Sequence, residues 1–69
     1  MSPGQLSPRQ RIIATLVAAG LSDKQIAGRL GIREGTVGYH VGKVAAAWRL
    51  DPTLNLRIQI THRVIDNAA

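Results

Sequence analysis

Ser22-Asp23-Lys24-Gln25-Ile26-Ala27-Gly28-Arg29-Leu30-Gly31-Ile32-Arg33-Glu34-Gly35-Thr36-Val37-Gly38-Tyr39-His40-Val41-Gly42-Lys43-Val44-Ala45 is the stretch that decides the fold. Ser22 can cap a helix and Gln25 can close the reciprocal box, while Asp23 puts negative charge at the positive end of the helix dipole. Ile26, Ala27 and Leu30 share one face, and Gly31 stops the helix after about eight residues. A second helix follows almost at once, from Arg33 or Glu34. Val37, Val41, Val44, Ala45 and Trp48 form its apolar stripe. Gly35, Gly38 and Gly42 lie off that stripe, and each costs up to about 1 kcal/mol relative to alanine inside a helix. Packing, not propensity, must hold this helix. The pattern is that of a helix-turn-helix. Ala27 is small where the helices cross, Gly31 supplies a left-handed backbone angle, and Val37 pins the second helix to the first. The outer face of the second helix is then free to enter a DNA major groove. On these residues alone, an ordinary three-helix bundle with one short turn is the alternative.

Upstream, residues 1–5 carry Pro3 and Gly4 with no apolar period and read as a loose tail. Ser7-Pro8-Arg9-Gln10 repeats the start signal, with Leu6 placed to staple onto the helix. Ile13, Leu16 and Val17 give its stripe, Ile12 widens it, and Gly20 ends it. Downstream, Asp51-Pro52 breaks the chain. Leu54, Leu56, Ile58 and Ile60 alternate as in a strand, yet Leu56, Ile60 and Val64 step by four as in a helix. A lone strand would have no partner here. The reading is therefore a helix over residues 55–67, capped by Asn55 with Leu54 as its staple. The expected architecture is all-α: one four-helix domain over 6–69, with the helix-turn-helix at 22–48.

A chain of 69 residues has room for one small domain, whose stability is marginal. Cysteine is absent, and His40 and His62 are too few for a closed zinc site, so no disulfide, metal or cofactor is expected. A partner subunit is the support left. Nine Lys and Arg face four Asp and Glu, a net charge of +5 that points to a polyanionic partner. Seven of those nine are arginine, whose guanidinium suits phosphate and base edges. Tyr39 and Trp48 are the only aromatics, too few to stack single-stranded bases. No nucleophile–base pair, paired carboxylates or phosphate-cradling loop is evident, so no enzyme is expected. No apolar run spans a bilayer, and the first residues do not read as a secretory leader. A cytoplasmic location is expected. A membrane-surface peptide is disfavoured because the charges are not gathered opposite one apolar face.

Leu6-Ser7-Pro8-Arg9, Gly20 to Ala27, and Leu30 to Val37 followed by His40 resemble the LuxR/GerE helix-turn-helix domain, from Leu6 to about Val44. The resemblance implies four helices, the third in the major groove. It implies transcription regulation, commonly as a homodimer whose last helices pair. Several positions depart from the family pattern. Gln10, Ile12 and Gln25 stand where glutamate is usual, which raises the net positive charge. The outward positions that relatives use to touch bases correspond to Gly38, Tyr39 and Gly42. The segment from Leu50 to Arg57 is about four residues longer than usual.

Candidate DNA contacts follow. Tyr39 is the one large side chain expected on the exposed face; its phenol can donate to a base or phosphate and its ring can meet a thymine methyl. Thr36 can donate to phosphate. Arg33 gives up a capping side chain but sets a guanidinium at the groove entrance. Lys24, in the first turn of the helix that crosses the backbone, and Lys43 are phosphate candidates. Glu34 serves the helix dipole. Arg9 and Arg11 read equally well as a solvated face. His40 reads as a satisfied structural histidine. Gly38 and Gly42 would permit close backbone approach, with shape replacing long side chains. The rival reading is a protein-interaction module on the same fold, binding a regulator or polymerase, that has lost base readout.

In the last helix, Leu56, Ile60 and Val64 make one stripe, and Ile58 and Ile65 lie far round from it. So small a core cannot take both, so these five residues are the dimerisation candidates, one face packing inward and the other meeting a second copy. A twofold pair would present two recognition helices about one turn of DNA apart, on an inverted repeat. A monomer whose longer linker turns these residues inward is the alternative. The expectation is a stand-alone DNA-binding regulator, controlled by expression level or by a protein partner.

Overall fold

The computed structural model describes residues 5–68, so the expected tail falls outside it except for Gln5, which is exposed. Four helices follow one another: α1 (Pro8–Ala18), α2 (Asp23–Leu30), α3 (Glu34–Ala47) and α4 (Leu56–Ala68). Local hydrogen bonding sets their starts. Ser7 Oγ accepts from the Gln10 amide at 3.2 Å, and the Ser7 amide donates to Gln10 Oε1 at 3.0 Å. Ser22 and Gln25 repeat the box at 3.2 and 2.8 Å. Asn55 Oδ1 accepts from the Ile58 amide at 3.0 Å, which caps α4. Its expected staple is absent: Leu54 is 60% exposed, because the position four into α4 is Gln59, which offers it no apolar partner.

Three helices end in the same way. The amides of Leu21, Ile32 and Leu50 donate back five residues, to the carbonyls of Leu16, Ala27 and Ala45. Such a closure needs a left-handed residue just before the donor. Gly20 (φ 94°) and Gly31 (φ 68°) supply it after α1 and α2, and Arg49 (φ 53°) supplies it after α3. The third is an L-residue in a region that costs roughly 1–2 kcal/mol.

The core draws on every helix. It holds Ile13, Ala14 and Val17 of α1, Ile26 and Ala27 of α2, Val37, Val41 and Val44 of α3, and Ile60 of α4. α1 lies centrally, packing on α3 and α4, while α2 packs chiefly on α3. Two expectations are corrected. Ile12 does not widen the α1 stripe: it is 46% exposed, because its neighbour Ile13 already faces the core and is completely buried. Ile60 is no dimerisation residue either. It is completely buried, and Val64 packs against the same core. Ile58 and Ile65, at 55% and 58% exposure, carry the outward face of α4.

The long α3–α4 connection is held by side chains. Asp51 Oδ1 accepts from the Thr53 hydroxyl at 2.6 Å and its amide at 2.9 Å. These two bonds, the hydroxyl's foremost, hold the Asp51 carboxyl below its ordinary range. The Gln59 side chain accepts from the Asp51 amide at 2.9 Å and donates to its carbonyl at 2.8 Å. Arg57, in the first turn of α4, donates to Asp23 Oδ1 at 2.5 Å and to the Leu21 carbonyl, tying α4 to the start of α2. Both side chains are more than a third exposed, so this pair contributes at most about 1 kcal/mol.

Candidate nucleic-acid interface

α3 has two unlike sides. Val37, Val41 and Val44 face the core. On the helical period, Gly35, Tyr39, Gly42 and Ala46 form the row opposite them, and Gly38 and Lys43 flank that row. All six are exposed. A Cβ added at Gly35, Gly38 or Gly42 would meet nothing within 4 Å, so no neighbour in the domain requires glycine there. Tyr39 rises from this bare surface at 60% exposure. Lys43 Nζ lies over its ring, 5.3 Å from the centroid, a cation–π contact one helical turn along.

The remaining candidates surround this face. Arg33 is the residue before α3 and makes no capping bond with its side chain. Thr36 is exposed in the first turn. Lys24 is exposed in the first turn of α2, whose buried face is Ile26 and Ala27. Among the described residues, the one ion pair is Arg57–Asp23, so Lys24, Arg33 and Lys43 stand without a carboxylate. Their charge is spread around the helix-turn-helix instead of lying along the outer row of α3.

His40 departs from expectation. It packs edge-on to Tyr39, with centroids 5.6 Å apart and planes at 72°. Its Nδ1 is buried and finds no hydrogen-bond partner among the described residues. The expectation of a satisfied histidine is corrected at this nitrogen, which burial removes from solvent while no described residue bonds to it. Sequence reasoning also missed Arg57, whose partners lie 34 and 36 residues away. Among the described residues, no group of three His, Asp or Glu gathers as a metal site would require. No helix there is long and apolar enough to cross a membrane.

A short helix and a longer one, joined through a left-handed glycine and packed together with a buried alanine on the shorter, with the outer face of the longer one open, define a helix-turn-helix domain. Residues 4–46 match the family model of bacterial regulatory proteins, luxR family. The chain belongs to that family. Over 41 residues, 59% of the chain, it is 54% identical to the two-component response regulator PprB of Pseudomonas aeruginosa. Over 37 residues, 54% of the chain, it is 57% identical to the nitrate/nitrite response regulator protein NarL of Escherichia coli. Over 44 residues, 64% of the chain, it is 46% identical to nodulation protein W of Bradyrhizobium diazoefficiens. The matched stretch is 15%, 17% and 19% of the length of these three relatives. No solved structure matches the chain.

Proposed function

We propose that this domain binds double-stranded DNA as a transcription regulator, with α3 in the major groove. The observation that carries the reading is the two-sidedness of α3. One side is core, the other is exposed and free of long side chains except Tyr39 and Lys43, and the nearby cations are unpaired. Lys24, Arg33, Thr36 and Lys43 hold phosphates; Gly38, Tyr39 and Gly42 meet the groove floor. Membership of a family of regulatory proteins supports the same reading. The exposed Ile58 and Ile65 pair with a second copy, and the homodimer occupies an inverted repeat.

Duplex binding measured across salt concentration tests this. Three cations per copy, six per dimer, give a log–log slope of roughly −5. A flat slope sinks the DNA reading. Sedimentation over a range of protein concentrations tests the dimer; a persistent 7.4 kDa species at high concentration excludes it.

One observation favours a second reading. Three of the four residues in the outer row, Gly35, Gly42 and Ala46, present almost no side chain, which also suits close packing against another protein. Selection from a random duplex pool separates the two: an enriched sequence supports base reading, and none supports the protein-interaction module.

A further inference from the structure

In the major groove, guanine and adenine are read by bidentate donors or amides, cytosine by a carboxylate, and thymine alone presents a methyl group. The outer row of α3 and its flanks hold no Arg, Asn, Gln, Asp or Glu, and Glu34, the one carboxylate of α3, lies off the row. The one cation there, Lys43, has its ammonium over the Tyr39 ring at 5.3 Å. What remains to meet a base is the ring of Tyr39 with its hydroxyl, and the methyl of Ala46.

Tyr39 is also held in place. Lys43 covers one side of its ring and His40 meets it edge-on at 5.6 Å, while the residue stays 60% exposed. A ring ordered before binding loses less freedom when it docks. Gly38 and Gly42, one residue before it and three after, have open space around them, so no shoulder keeps the ring from the groove floor.

From this geometry we infer that Tyr39 is the specificity-determining residue of α3, and that its ring selects a thymine by contact with the C5 methyl. The inference rests on the DNA reading above and goes beyond it by naming the base and the group recognised. Lys43 acts as a positioning residue for the ring. The phenolic hydroxyl is not the discriminating group, because it can bond to a phosphate or to any base carrying an acceptor.

The test uses the full chain and a duplex it selects from a random pool. Each thymine is replaced in turn by deoxyuridine, which removes the methyl and keeps the pairing. The wild-type domain is expected to bind roughly fourfold more weakly at one position per half-site, the loss of one buried methyl. Tyr39→Phe keeps that discrimination. Tyr39→Ala binds the thymine and uracil duplexes alike with an unchanged salt slope; as Tyr39 lies outside the core, this variant folds, which circular dichroism checks. The inference is overturned if uracil is tolerated everywhere, if Tyr39→Ala still discriminates, or if Tyr39→Phe does not. Salt-dependent duplex binding with uracil tolerated everywhere overturns the thymine inference alone. A flat salt slope with no selected sequence overturns the DNA reading itself.

Discussion

Gly38 and Gly42 set stability against binding, and replacing both with alanine separates the two. Both lie inside α3, neither has a positive φ, and an added Cβ meets nothing at either site. Each substitution therefore gains the full helix-propensity difference, about 0.8–1.0 kcal/mol, with no steric cost. The two sites lie one helical turn apart and neither added Cβ meets an existing atom, so the expected stabilisation is the sum, roughly 1.6–2 kcal/mol. In a domain of this size each kcal/mol moves Tm by about 4–8 °C, so the double variant should melt roughly 6–16 °C higher. Thermal and urea unfolding followed by circular dichroism measure this, and an unchanged urea slope shows that the compared states are the same. The same protein is then titrated against the selected duplex. If α3 approaches the groove floor through its glycines, two methyls hold it off and affinity falls while stability rises. No stabilisation, or a lower Tm, would refute the placement of these glycines on an open helix face. Stabilisation with unchanged affinity and sequence preference would refute close approach. Gly38→Lys extends the series: general affinity is kept or raised while sequence preference changes.

Three further outcomes follow from the fold. Arg49→Gly removes a left-handed L-residue after α3; a gain of about 1–2 kcal/mol, less about 0.5–1 kcal/mol for the freer unfolded glycine, leaves a net stabilisation between about 0 and 1.5 kcal/mol by urea unfolding, and a destabilised variant would refute the strain at Arg49. Ile60→Ala opens a cavity in the core and should cost about 2–5 kcal/mol, much of what a domain this size has, whereas Ile58→Ala leaves the monomer's stability nearly unchanged and weakens self-association by sedimentation. Asp51 has a lowered folded pKa, so its contribution is present above the unfolded value of 3.8 and is lost as pH falls through the folded value; Asp51→Asn should abolish that acid-side dependence in unfolding measured against pH.

Helix starts and two of the helix ends were legible because their hydrogen bonds are local. Ser7 with Gln10, and Ser22 with Gln25, are bonded three residues apart, and Gly20 and Gly31 stop their helices within six residues of the carbonyl they help satisfy. A short pattern holds all of that information. The candidate interface was legible for the same reason. Val37, Val41 and Val44 mark the inner side of α3 by period alone, so Tyr39 and the glycines follow as its outer side. The Arg49 turn was not legible, because its sequence carries no glycine to mark it; closure of α3 imposes the angle.

By itself, then, the sequence determined four helices, the turn between α2 and α3, and the exposed surface of α3, since each follows from residues within a few positions of one another. Tertiary structure alone decided which stripe of α4 turns inward. Leu56, Ile60 and Val64 and the opposed Ile58 and Ile65 are both apolar, and only the docking of α4 on α1 and α3 buries Ile60 and leaves Ile58 and Ile65 to solvent. It likewise decided that Ile12 stays outside and that Arg57 reaches Asp23 from 34 residues away. Helical period tells which residues share a face; it does not tell which face a neighbouring helix will cover, because that depends on where the rest of the chain has room to pack.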